Sequence, residues 1–260
     1  VLSGDGGDEL FAGYERYTKY AQLRRLRTMT LGAAGPAMAA AAGLVPGAAG
    51  VRLSRIASRL NEPFPDDYLS GVGLARRADL ERILDLPGVP LDPYANVRGA
   101  YLSDLGGDAL DALLWGDMNT YLLEDILVKV DRMTMANSLE ARSPLLDHQL
   151  LEFAARLPAE YKLRGQHGKW LLKAVARQLL PPEFIDKPKQ GFAIPLAQWM
   201  RGPLLPLVRD LLSSQAFRER GLYRVAGIQA CLEQHVKGLH DHGELLWSVL
   251  NYELWSRKFT

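Results

Sequence analysis

Three stretches of the chain set charge beside glycine or proline: Ser3-Gly4-Asp5-Gly6-Gly7-Asp8-Glu9, the run from Lys129 to Asp147, and Asp186-Lys187-Pro188-Lys189-Gln190-Gly191-Phe192. In the first, Gly4, Gly6 and Gly7 let backbone approach a ligand closely and take positive φ. Backbone N–H groups where the following helix begins favour an anion. Asp5, Asp8 and Glu9 repel a bare phosphate, so a divalent cation has to come between, and bridging phosphates through oxygen ligands is the habit of Mg²⁺. The ligand spacing is not that of an EF-hand, and no Gly-Lys-Ser/Thr ending makes a P-loop. The same residues equally describe a capped helix after an acidic turn. Composition alone does not choose between the two readings.

In the third stretch Lys187 and Lys189 flank Pro188, and Gly191 permits a sharp bend. A lysine held against phosphate neutralises charge that develops on a leaving group; without a phosphate it is an exposed basic turn. The middle stretch holds Asp131-Arg132, Glu140 and Arg142 among Met133, Met135, Leu139 and Leu145. Charges in such company are expected to be partly buried and therefore paired. Glu140 and Arg142 read as a structural ion pair, while Asp131 stays open.

Read in order, "SGDGGDELFAGY", "DILVKVDRMTMANSLEARSPLLD" and "KPKQGFAIP" resemble the synthetase domain of bacterial-type glutamine-dependent asparagine synthetases. The likeness runs from residue 1 to about residue 202 and is weak between 31 and 106. It implies an α/β fold of the ATP-pyrophosphatase, or adenine nucleotide alpha-hydrolase-like, class. It also implies ATP and Mg²⁺, adenylation of the aspartate side chain, release of pyrophosphate, and attack by ammonia drawn from glutamine. On that resemblance Asp8 holds the Mg²⁺–pyrophosphate unit, and Asp5 lies near the attacking ammonia. Lys189 stabilises the adenylation transition state, while Ser3, Gly4, Gly6, Gly7 and Lys187 line the nucleotide.

Two departures qualify the likeness. The family's Ser-Gly-Gly-x-Asp-Ser adenylating signature occurs nowhere in the 260 residues, nor does an N-terminal nucleophilic cysteine with a glutaminase domain. The chain therefore looks like the incomplete, mostly helical C-terminal portion of a larger enzyme. By itself it is expected neither to hydrolyse glutamine nor to form asparagine. Neighbouring readings are an amidotransferase or cyclase acting on another carboxylate, of the β-lactam synthetase or lasso-peptide cyclase type. In β-lactam synthetases a tyrosine resembles the functional occupant of the Asp5 position, and an acid there favours ammonia as nucleophile. A noncatalytic helical binding module is the reading from a different class.

The elements that position these motifs follow from periodicity. Val1-Leu2-Ser3 reads as the end of a buried strand, and Leu10, Phe11, Tyr14, Tyr17 and Tyr20 predict a helix from Glu9 that Asp8 caps. Residues 31–106 form a variable helical region, 107–202 the motif-bearing core and 203–260 the C-terminal helices. Within them helices are expected over 51–60, 79–86, 168–180 and 244–259, with a break near "LLEDILVKVDR".

At 48% apolar residues the chain can bury a sizeable core, and a net charge of +1 offers no general surface for nucleic acid. The single Cys231 rules out an internal disulfide, reads as a small buried thiol, and suits a cytoplasmic location. His235, His240 and His242 match no usual zinc spacing. The uncharged run from Leu31 to Gly50 is Ala- and Gly-rich and broken by Pro36 and Pro46, so it reads as a short helix and loop rather than a membrane span. Oligomeric state is not legible, a homodimer being one option.

Overall fold

A computed structural model describes residues 1–103, 107–185 and 194–260. Helix dominates them, and the chain divides into two compact units. The first comprises Val1–Gly35, Leu60–Gly71 and Tyr94–Lys189; the second comprises Pro36–Arg59, Val72–Pro93 and Gln190–Thr260.

The first unit carries the acidic turn. Its opening residues form a single parallel bridge between Leu2 and Arg142. The Ser3 N–H donates to the Arg142 carbonyl at 2.9 Å, and the Arg142 N–H donates to the Val1 carbonyl at 2.9 Å. This isolated bridge is all that stands where a buried strand end is expected, and it is not buried, Leu2 being 78% exposed.

The turn then enters a one-turn helix, α1 (Gly7–Leu10). The predicted continuous helix is broken here. Ala12 takes φ 55°, and a second helix, α2 (Glu15–Met29), starts afresh. Asp8 is not the cap: it lies inside α1, whose N-cap is Gly6 with no side-chain hydrogen bond. Gly6 has φ 86°, a conformation costly for other residues, and a Cβ there would lie 2.2 Å from Leu146 Cδ2.

From Ala109 to Met135 the chain is helical throughout, as α-helix Ala109–Asp117, π-helix Met118–Leu127 and α-helix Val128–Met135. Asp108 starts it by accepting from the N–H of Leu110 at 2.7 Å and of Asp111 at 3.2 Å, a cap worth about 1 kcal/mol. The predicted break does not occur, since wider i→i+5 turns carry the helix through. Beneath α1, Leu10, Phe11 and Ala154 are buried against Met118, Leu146, Leu150, Leu151 and Leu172.

A two-residue hairpin, β1 (Leu163–Arg164) with β2 (His167–Gly168), precedes the helix Trp170–Ala176. That helix is shorter than expected, and Leu179 beyond it is 79% exposed. Met133, Met135 and Leu139, read as core neighbours, are exposed as well.

In the second unit the helix Gly243–Phe259 sits almost where the pattern places it. It buries Leu246, Val249 and Leu250 in a core with Met200, Val208, Phe217, Ile228 and Cys231. Glu253 is fully buried and accepts from Nε of Arg220 and Nε of Arg257, both at 2.7 Å. Among the described residues no helix is long and apolar enough to cross a membrane; the Leu31–Gly50 run supplies the helix Ala34–Ala42 and the start of Gly47–Asn61.

The histidines of this unit form a packed, neutral group. His235 Nδ1 accepts the His242 N–H at 3.1 Å, and its Nε2 lies 3.0 Å from the Ala197 carbonyl. Those contacts define a neutral Nε2–H tautomer. His242 stacks on His240 with centroids 4.3 Å apart and contacts Gln234 Oε1 through Nε2 at 2.9 Å.

Burial, then the neighbouring His240, push the His242 imidazole from its ordinary 6.5 down to about 4; Arg82 and His235 act in the same sense and Asp79 opposes them. Below pH 6.5 the unfolded chain takes this proton first, so the stability His242 confers drains as pH falls toward 4. We expect the urea midpoint to fall on acidification, and His242→Gln to fall less steeply over that interval. Identical pH slopes for the two proteins would contradict the assignment.

Candidate functional site

The first and middle motifs meet in the first unit. Ser3 Oγ donates to Asp5 Oδ2 at 2.8 Å and lies 2.7 Å from Ser143 Oγ. Together with the Leu2–Arg142 bridge, these contacts dock the strand end on the segment that follows Glu140. Leu145 and Leu146 seat the glycines from below, since a Cβ on Gly7 would lie 2.8 Å from Leu145 Cδ1. Asp5 is thus a half-buried carboxylate oriented through one oxygen, and among the described residues its Oδ1 has no partner. Gly4 is exposed at the mouth of the turn, while Gly6 and Gly7 are buried.

Asp8 has a different partner. Lys169 Nζ lies 3.1 Å from Asp8 Oδ2, with both side chains largely shielded. Lys169 takes φ 55° immediately after β2, and its N–H donates to the Phe11 carbonyl at 2.7 Å. The pair passes tightly against Gly13, where a Cβ would lie 2.1 Å from Asp8 Oδ1 and 2.2 Å from Lys169 Cε. Only glycine leaves that channel open. Sequence reasoning missed Lys169, whose sole local signal is its place after Gly168 at the end of a hairpin too short to show periodicity.

Glu9 completes the turn from the buried side. It is 1% exposed and accepts from the Tyr14 hydroxyl at 2.6 Å. Burial raises its pKa above the ordinary carboxylate value and Asp8 adds to the rise, while the Tyr14 hydrogen bond and Arg16 oppose it. Burial and the Glu9 contact push the Tyr14 phenol up in turn. Behind Glu9 lies a cleft of about 290 Å³ with Leu10, Leu114 and Trp115 in its wall and the Lys162–Asp111 ion pair (2.8 Å) at its edge.

Glu140 and Arg142 do pair, through Oε1 and Nη2. The expected burial is wrong: their side chains are 67% and 75% exposed, and such a pair contributes little to stability. Asp131 is exposed too. Lys187 and Lys189 lie outside the described residues.

No group of three or more His, Cys, Asp or Glu side chains that could hold a metal ion occurs among the described residues. A self-sufficient metal cage is therefore not what this turn offers. One or two carboxylates facing a phosphate-bridging ion is the arrangement Mg²⁺ accepts, and Asp8, with Asp5 on the same turn, fits that lesser demand.

The chain is similar to a putative asparagine synthetase [glutamine-hydrolyzing] of Mycobacterium tuberculosis, 33% identical over 265 residues that cover 100% of this chain and 39% of the relative. It is also similar to asparagine synthetase [glutamine-hydrolyzing] 1 of Bacillus subtilis, 28% identical over 256 residues, or 98% of this chain and 40% of that protein. The chain thus spans about two fifths of the length of the curated relatives it matches. No solved structure matches it. Residues 1–257, a span that includes the acidic turn and Ser143, match the asparagine synthase family, and the chain belongs to that family.

Proposed function

We propose that this chain serves an ATP-dependent amide ligase that converts aspartate to asparagine with ammonia from glutamine. The observation that carries the reading is the acidic turn, with Asp5 oriented by Ser3 and Ser143 and Asp8 balanced by Lys169, in a member of this family. In the reaction the aspartate side-chain carboxylate bonds to the α-phosphorus of ATP and pyrophosphate departs. Ammonia then adds to the acyl carbon, AMP leaves, and one proton is lost from nitrogen.

The residues divide that work by charge. Asp5 keeps one carboxylate oxygen without a partner among the described residues, suited to accept a hydrogen bond from the incoming amine. Asp8 would hold the Mg²⁺ that, when bound, bridges phosphate oxygens and offsets their charge. Lys169 offers an ammonium beside it that can turn from Asp8 to a phosphate oxygen. Ser3, Gly4, Gly6 and Gly7 line the nucleotide in this proposal, and Lys187 and Lys189 supply further positive charge to the departing pyrophosphate. The proposed ATP-pyrophosphatase α/β class rests on the family match, and the isolated parallel bridge between Leu2 and Arg142 is compatible with it. A cytoplasmic location belongs to the same reading.

The test is pyrophosphate release from ATP by the native full-length protein, with aspartate compared against other acids. Release that depends on aspartate and yields asparagine is expected. Release driven by a different acid, or by none, would overturn the substrate assignment. Gly13→Ala should push Asp8 and Lys169 apart and lower that rate about tenfold or more, with the melting temperature nearly unchanged. An unaltered rate would remove the pair from the mechanism.

A further inference from the structure

The acidic turn is backed by a buried cluster to which the ligase reading gives no role. Asp117, 1% exposed, accepts from three phenols at 2.6 Å: Tyr17 and Tyr68 on Oδ2, and Tyr101 on Oδ1. Arg16 Nη2 lies 2.8 Å from the same Oδ2. The guanidinium carbon sits 4.2 Å from the Tyr14 ring centroid and 4.5 Å from that of Tyr121, so Arg16 is held between two aromatic rings. Tyr121 stands edge-on to Tyr14, centroids 5.9 Å apart, from the π-helical segment that begins just after Asp117.

A buried ion pair is weak evidence for a role in stability alone. This one leaves Arg16 Nε and Nη2 buried without a hydrogen-bond acceptor, so the 2.8 Å approach of Nη2 to Asp117 is a charge contact, and a purely stabilising residue gains nothing by keeping that deficiency. What a guanidinium does here, and an ammonium cannot, is lie flat against aromatic faces while its edge meets a carboxylate. The ring so gripped is the one whose hydroxyl ends on Glu9.

We propose that Arg16 is a positioning residue: anchored on Asp117 and clamped between Tyr14 and Tyr121, it holds the Tyr14 hydroxyl on Glu9 and thereby fixes the turn that carries Asp5 and Asp8. The inference rests on the ligase reading only for what the turn does. Asp117 and its three tyrosines are the fixed end of the device, and Tyr14 is the end it holds. Glu9, within α1, transmits the hold to Asp8 one residue away.

The test measures backbone amide exchange at one fixed pH in the nucleotide-free protein, for wild type, Tyr14→Phe, Arg16→Lys and the double variant. The probes are the Leu10 and Gly13 N–H groups, which donate to the Gly6 carbonyl at 2.9 Å and to the Asp8 carbonyl at 2.8 Å. Loss of the Tyr14 hydroxyl should speed their exchange about tenfold and leave amides of the helix Ala109–Asp117 unchanged. Arg16→Lys keeps the charge and the hydroxyl but not the flat clamp, so it should speed the same amides to the same extent, and the double variant should add nothing further. Wild-type exchange in Arg16→Lys alongside fast exchange in Tyr14→Phe would overturn the proposal, and so would an acceleration spread evenly over the first unit.

If Arg16→Lys does not fold, Tyr121→Leu removes one face of the clamp and leaves Asp117 untouched. It too should speed exchange at Leu10 and Gly13, and wild-type rates there are equally fatal. The exchange measurement needs no ligase activity, so failure of aspartate-dependent pyrophosphate release would count against the function while leaving this result standing.

Discussion

The contact between Asp8 and Lys169 across Gly13 is the constraint on which the acidic turn depends. Carboxylates gathered on one short turn repel one another, and at half-burial that repulsion is only partly screened. The turn answers it in three ways. Asp8 has an ammonium at 3.1 Å, Asp5 has a hydroxyl at 2.8 Å, and Glu9 is driven inward onto a phenol at 2.6 Å. Each partner comes from a different segment: the residue after β2, the strand end, and the start of α2. The turn is thus a junction of the first unit rather than a loop lying on it.

The second unit is built on other terms. Its core is aliphatic and aromatic, and its fully buried carboxylate Glu253 is enclosed by two guanidinium groups. Its histidines are packed neutral, so its ionisation chemistry concerns stability. In the first unit Asp5 and Asp8 stay half-exposed at the turn, which is the condition for exchanging a protein partner for a ligand.

How far the site was legible follows from the range of each interaction. The turn itself, glycines and carboxylates in seven consecutive residues, is written locally and was readable. Its contact with Ser143 lay within the recognised motif set, although no rule of spacing revealed it. Lys169 was not readable, because its pairing with Asp8 spans most of the first unit and arises from a hairpin with two residues per strand. The helix from Glu9 was misjudged for a related reason. Apolar spacing runs on through Phe11 and Tyr14, and nothing in an alanine announces the left-handed conformation that Ala12 adopts. The methionines of the middle stretch misled in the opposite sense: Met133 and Met135 have core composition but stand 60% and 56% exposed, so the pairing of Glu140 with Arg142 was foreseeable and its burial was not.

The proposed ligase chemistry has one requirement, that the acidic turn receives a metal-bound polyphosphate. Calorimetric titration of magnesium pyrophosphate into the native protein and into Asp8→Asn measures this without any turnover. The account predicts binding by the wild type that weakens at least about tenfold in Asp8→Asn, equivalent to about 1.4 kcal/mol, and that disappears when magnesium is chelated. Equal affinity in the two proteins, or binding indifferent to magnesium, would contradict it.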